Sequence, residues 1–212
     1  MKKQPIFIVG SPRSGKTLIA EILKICQVPF GNTDKMLENV GLSEVTGHFL
    51  QNLGFDPKAI LNRPSTEELS IPQTWKQTVE AALKLQEVDP EQQWGFKSHL
   101  IAPTWPLWHY AYPDAKFIIV RRRIGDIASS CMKTGYLNQF TIHDKWVEMV
   151  RSYENSFMEM ISEGLNCKII WPHRMTMGDY GQIFEMLDWL GLKWNGKILT
   201  KVDPKFWKVR EK

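Results

Sequence analysis

Residues 6–23, "IFIVGSPRSGKTLIAEIL", constrain this chain more than any other stretch. A short apolar run leads into Gly10-Ser-Pro-Arg-Ser-Gly15-Lys16-Thr17, and an amphipathic run follows. That segment satisfies G-x-x-x-x-G-K-[ST], the phosphate-loop pattern, in the context that gives the pattern meaning: strand before, helix after. Two glycines let consecutive backbone amides converge, and the helix that starts there adds its positive end. Arg13, Ser14, Gly15, Lys16 and Thr17 are therefore candidate anion-binding residues.

A strand–loop–helix unit of this kind belongs in an α/β fold. Three further runs, "WGFKS" (94–98), "KFIIV" (116–120) and "CKIIW" (167–171), join "PIFIVG" (5–10) as expected parallel strands. They are rich in Ile, Val and Phe with little alternation, as strands covered on both faces should be. Helical patterns separate them. Leu18, Ile19, Ile22, Leu23 and Ile25 form one stripe, and Trp75, Val79, Ala82 and Leu83 form a second. A third starts near His143 with Trp146, Val150, Tyr153, Phe157, Met160 and Ile161, and a fourth has Ile183, Phe184, Leu187 and Leu190 before a Gly191 stop. The expected architecture is a three-layer α/β/α domain with a central parallel sheet, its ligands beyond the carboxyl ends of the strands.

At 212 residues the chain suits one such domain spanning 1–212. Residues 29–72 are the least regular, with Gly or Pro at short intervals; a lid or acceptor-side region and plain connecting structure are both compatible with that. Lys and Arg number 27 against 23 Asp and Glu, a net +4. The basic excess lies in residues 193–212 without a nucleic-acid reader motif, so a solvated tail is expected and nucleic acid is not. Cys26, Cys131 and Cys167 are far apart and in no ligand spacing, which argues against both a disulfide framework and structural zinc. No apolar run reaches membrane length and none resembles a signal segment, so a cytoplasmic protein without membrane contact is expected.

A second anion site is legible in "PDAKFIIVRRRIGDIASS" (113–130). The strand ends in three arginines at the ligand edge. Asp126 and Ser130 are four apart on the following helix, and Arg122 is four before Asp126. Arg122 and Ser130 can hold an isolated phosphate while Asp126 braces an arginine or caps the helix.

With both motifs in hand, the chain resembles the sulfotransferases that use 3'-phosphoadenosine 5'-phosphosulfate (PAPS). Pro12-Arg13-Ser14-Gly15-Lys16-Thr17 is similar to the family's 5'-phosphosulfate loop, with Lys16 replacing its first Thr. Arg122-Arg123-Ile124-Gly125-Asp126 followed by Ser130 is similar to its 3'-phosphate motif, with Ile124 and Gly125 replacing a Pro and an Arg. The lead-in "YPDAKFIIV" and the late helix "EMLDWLGL" (185–192) also match, whereas the family's C-terminal Gly-rich segment has no counterpart. Lys97-Ser98-His99-Leu100-Ile101 resembles a Lys-Thr-His-Leu-Pro strand end whose His is the base.

The resemblance implies a PAPS-dependent sulfotransferase with a small-molecule hydroxyl or amine acceptor and no metal. His99, Arg13 and Lys16 would be catalytic. Arg13, Ser14, Gly15, Lys16, Thr17, Lys97, Arg122 and Ser130 would hold the donor. Glu44 and His48 are alternative bases, since other branches of the family use a carboxylate from the acceptor side. The competing readings are a phosphate-loop kinase using Mg-ATP, which Lys16-Thr17 suits but the lack of a strand-terminal Asp does not, and a nucleotide-binding protein without turnover. Trp105, Trp108, His109 and Tyr110 fit either an acceptor wall or helix packing.

Overall fold

The computed structural model describes residues 4–134 and 139–202. Its chain order begins with β1 (Ile6–Val9), α1 (Lys16–Ile25), α2 (Val40–Asn52), α3 (Trp75–Lys84), β2 (Gly95–Ser98) and α4 (Trp105–Ala111). There follow β3 (Lys116–Val120), α5 (Ile124–Met132), α6 (His143–Ser162), β4 (Cys167–Ile170), α7 (His173–Thr176) and α8 (Gly181–Leu190). Among the described residues the strands form one parallel sheet in the order β2-β1-β3-β4, with Ile6 in register with both Gly95 and Lys116.

Alternation along the strands divides the core in two. Phe7, Val9, Phe96, Phe117 and Ile119 face α3, α4, α5 and α6, where Trp75, Trp108, Ile127, Trp146 and Tyr153 are buried with them. Ile6, Ile8, Ile118, Val120 and Ile170 face α1 and α8, against Ile19, Ile22, Leu23, Ile183 and Leu187. This is the expected three-layer α/β/α arrangement. The aromatic load is mostly packing: Phe7 and Phe96 approach Trp108 at 5.2 and 5.0 Å between ring centroids, and Trp75 meets it edge-on at 5.5 Å. Trp105 and Trp108 are thus core residues of α4, not an acceptor wall, while Tyr110 is exposed.

Three details depart from the sequence expectations. β4 is an edge strand with Ile169 exposed, so it is covered less completely than β1, β2 and β3, whose residues are buried apart from Lys116 at the start of β3. Phe184 is half exposed, because the buried face of α8 is set by Ile183, Met186, Leu187 and Leu190; its ring stacks on Trp194 at 4.2 Å instead. Ile161 is likewise exposed at the end of α6. Residues 29–72 are more ordered than their composition suggests. Asn39 caps α2 by accepting from the Leu42 amide at 2.9 Å, and its Nδ2 donates to the Phe30 carbonyl and to Gln86 Oε1, both at 2.8 Å. One buried amide side chain therefore ties the segment to β2's flank and to the end of α3. The three cysteines are free thiols, and no described helix is long and apolar enough to cross a membrane. Most of the basic tail, residues 203–212, lies outside the described residues.

The chain passes from β1 to β2 on one side of β1 and then to β3 on the other. β1 therefore ends at the switch point of the sheet, where a crevice opens between diverging connections. At the opposite, amino end of the sheet, where Gly95 is in register with Ile6, the Phe30 ring packs on β2 from the α1 side, so close that a Cβ on Gly95 would sit 2.5 Å from Cζ and within 3 Å of two further ring atoms. Gly95→Ala should destabilise the protein by about 1–3 kcal/mol through overpacking, read as a lowered denaturant midpoint. Phe30→Leu should recover part of that loss in the Gly95→Ala background.

Candidate active site

The phosphate loop leaves β1 at Gly10, and its shape explains its residues. A Cβ at Gly10 would meet Ser14 Oγ at 2.6 Å and the Val120 carbonyl at 2.8 Å, so the loop packs against β3 only with glycine there. Gly15 has φ 101° and Arg13 has φ 63°, both in the left-handed region. For Arg13 this is an unusual conformation, held by the loop around it. Ser14 is fully buried, and its Oγ has no hydrogen-bond partner, an orphaned hydroxyl inside an anion loop.

Lys16 opens α1 and is also buried. Its ammonium folds back onto the loop, donating to the Gly10 and Ser11 carbonyls at 2.8 and 2.7 Å. Burial lowers its pKa to about 7; the nearby Lys97 charge adds to this and Glu38 opposes it. An ammonium so destabilised is poised to take an anion.

The second motif meets the first. Arg13 Nε donates to Ser130 Oγ on α5 at 3.0 Å, and an Arg122 terminal nitrogen donates to the Arg13 carbonyl at 3.4 Å. The three arginines diverge. Arg121 pairs with Glu154 and lies over the Trp171 ring at 5.0 Å, Arg122 turns into the cleft, and Arg123 is exposed. Asp126 sits in the first turn of α5, and its charge favours the Arg122 cation. The helix cap position is Arg123, without a side-chain cap, so Asp126 braces the arginine and does not cap the helix.

Across the cleft, Lys97 at the end of β2 is buried and faces Glu38 Oε1 at 3.2 Å, the Met36 carbonyl at 2.5 Å and Thr17 Oγ1 at 3.5 Å. Burial lowers its pKa, and Glu38 counters that. Burial alone would raise the Glu38 carboxyl, but His99, Lys97 and Lys16 together hold it at about 2. His99 has both ring nitrogens facing oxygen. Nε2 donates to the Lys58 carbonyl at 3.0 Å, and Nδ1 is 3.9 Å from Glu38 Oε2, beyond hydrogen-bond length but within electrostatic reach.

A cleft of about 820 Å³ brings these groups together: Arg13, Ser14, Gly15, Lys16, Thr17, Lys97, His99 and Arg122 all line it. Ser130 reaches it through Arg13. A second cleft, about 570 Å³, runs along α2 past Ser43, Glu44 and His48 and shares Asp34, Glu38, Lys58 and His99 with the first. Glu44 and His48 line only this second cleft. Glu38 was not singled out by the sequence. It lies in a mixed stretch just before the α2 cap, and no spacing to Lys97 or His99 betrays it because the contact is made across some sixty residues of chain.

Several solved structures share this architecture. The sulfotransferase domain of the curacin biosynthetic pathway is 14% identical, with a TM-score of 0.60 over 94% of this chain and 78% of its own. The sulfotransferase domain of the Synechococcus PCC 7002 olefin synthase is 17% identical, with a TM-score of 0.57 over 99% and 85%. A mouse sulfotransferase in complex with PAP is 16% identical, with a TM-score of 0.56 over 100% and 69%. At these identities the likeness establishes the fold. No curated protein matches the sequence. The family model described as "Sulfotransferase family" matches residues 5–196, most of the chain, and on that match the protein belongs to the sulfotransferase family and is a transferase.

Proposed function

We propose that the protein transfers a sulfuryl group from PAPS to a hydroxyl or amine of a small acceptor, as a single domain whose 29–72 segment forms the acceptor side. The observation that carries this reading is the joining of two anion-binding turns in one cleft: the phosphate loop, and the β3–α5 turn with Arg122 and Ser130 linked to it through Arg13. A donor with a 5'-phosphosulfate and a separate 3'-phosphate matches two such turns. The buried, partnerless Ser14 hydroxyl and the poised Lys16 fit an anion seated in the loop. The similar mouse enzyme, solved with PAP, supports the same donor.

In the reaction the acceptor oxygen or nitrogen forms a bond to sulfur, and the bond from sulfur to the bridging phosphate oxygen breaks, leaving PAP. Lys16, Arg13 and the loop amides stabilise the charge that develops on that oxygen. The acceptor's proton goes to Glu38. With Nε2–H donating to the Lys58 carbonyl, Nδ1 is the ring nitrogen left to face Glu38 Oε2, at 3.9 Å, and a proton there would let His99 attract the carboxylate and orient it toward the acceptor. A kinase would pair Thr17 with a strand-terminal carboxylate for magnesium; here the neighbouring strand end brings the Lys97 ammonium to Thr17, 3.5 Å away.

PAP should bind more tightly than ATP, and without a divalent cation, in calorimetric titrations with and without chelator. A preference for Mg-ATP would overturn the donor assignment.

The state of Lys16 adds a pH dependence. Its pKa of about 7 in the free protein rises when an anion enters the loop, so binding takes up a proton. PAP affinity should therefore fall as pH rises from about 6 to 8.5, and heats measured in buffers of different ionisation enthalpy should report the uptake. A flat profile with no proton uptake would place Lys16 away from the bound phosphate.

Glu38→Gln should lower single-turnover transfer by about 10²–10⁴-fold, the range for a general base, with His99→Ala costing less. The assay uses radiolabelled PAPS and the best acceptor from a panel of phenols, alcohols and amines. The reverse ranking would make His99 the base.

A further inference from the structure

Lys97 stands between the two halves of the reaction. Its side chain is 3% exposed, and its three donors are already matched to three oxygens: Thr17 Oγ1 in the phosphate loop, the Met36 carbonyl, and Glu38 Oε1. An oxyanion arriving beside Thr17 finds this ammonium occupied. Glu38 is less confined. Its side chain is 23% exposed, it lines both clefts, and its second oxygen faces His99 Nδ1 at 3.9 Å, a gap that a small rotation would close.

We propose that Lys97 is a positioning residue exchanged between Glu38 and the donor: its ammonium restrains the carboxylate in the free protein, and the donor's anionic group draws it away, leaving Glu38 turned to His99 and open to the acceptor. The proposal rests on the reading that PAPS is the donor and Glu38 the proton acceptor. Lys97 on β2 and Lys16 on α1 face Glu38 with positive charge, the His99 ring lies 3.9 Å from it, and Lys97 also senses Asp34. Two anions then compete for one buried cation, so the carboxylate and the donor weaken each other's hold on Lys97. The carboxylate also becomes more basic when the ammonium leaves it, which suits it to accept a proton only once donor is present. The coupling is reciprocal: whatever Lys97 contributes to holding Glu38, it withholds from the donor.

Equilibrium binding of PAPS without acceptor, in wild type, Glu38→Gln, Lys97→Gln and the double variant, measures this coupling. Glu38→Gln should tighten PAPS binding about tenfold, and the gain should vanish when Lys97 is Gln. A gain that persists in the Lys97→Gln background means that Glu38 repels the donor directly, and overturns the proposal; so does the absence of any gain. The titration of Glu38 in the wild-type protein is independent of how the Lys97 variant folds. With ¹³C-labelled glutamate, and Glu38→Gln to assign the signal, its midpoint should rise by about one pH unit or more on saturation with PAPS. An unmoved midpoint sinks the exchange. If neither PAPS nor PAP binds, the donor assignment fails with it, whereas tight binding without coupling removes this inference alone.

Discussion

Two ammonium groups buried at one edge of a sheet, with a single carboxylate close to both, set the terms for the rest of this structure. Lys16 and Lys97 are each almost inaccessible to water; burial disfavours the charged form of both, and the Lys97 charge adds to that for Lys16. Removing a cation from water costs several kcal/mol unless oxygen ligands replace the solvent. Here Lys16 uses the loop's own Gly10 and Ser11 carbonyls, and Lys97 uses Glu38, the Met36 carbonyl and Thr17. These are partial substitutes for an anion. In the proposed reaction, such a site would favour negative charge by relieving the burial cost of the two cations.

The sheet order explains why such a site is found at this place. β1 is flanked by β2 and β3, so its terminal loop is bordered by Lys97 on one side and the arginine turn on the other. A carbonyl of β3, that of Val120, presses against Gly10 and fixes the loop's path. α5 then returns Ser130 to Arg13, so the two turns behave as one surface. The wall opposite comes from the segment before α2, anchored through Asn39 to Phe30 and Gln86. That anchor sets Met36 and Glu38 against Lys97.

Sulfuryl transfer needs little from a protein beyond charge placement and one proton acceptor. Lys16 and the loop amides face the leaving oxygen in the proposed reaction, while Glu38 faces the acceptor, and Lys97 is in contact with both neighbourhoods. As proposed, such an arrangement would join donor occupancy to acceptor activation through one side chain, without a domain movement. Its cost is a buried polar cluster that must be fully matched in each state.

The sequence by itself determined the elements and where the candidate anion-binding residues lie. Strand runs, helix stripes and the glycine-lysine loop are local, and local patterns survive without knowledge of the fold; the four strands, the loop, Arg122 and Ser130 all lie where those patterns put them. Only the tertiary structure decided which side chains meet. Glu38 reaches Lys97 and His99 from a segment with no periodicity of its own, and the His99 ring is turned by a carbonyl, that of Lys58, which carries no sequence signal at all. Phe184 is half exposed although its stripe suggested burial, and the tryptophans of α4 fitted two roles by sequence alone, for a related reason: a stripe shows which residues share a helix face, but the neighbouring layer decides whether that face is covered. Contacts between distant segments depend on the register in which whole elements pack, and that register is a property of the assembled core.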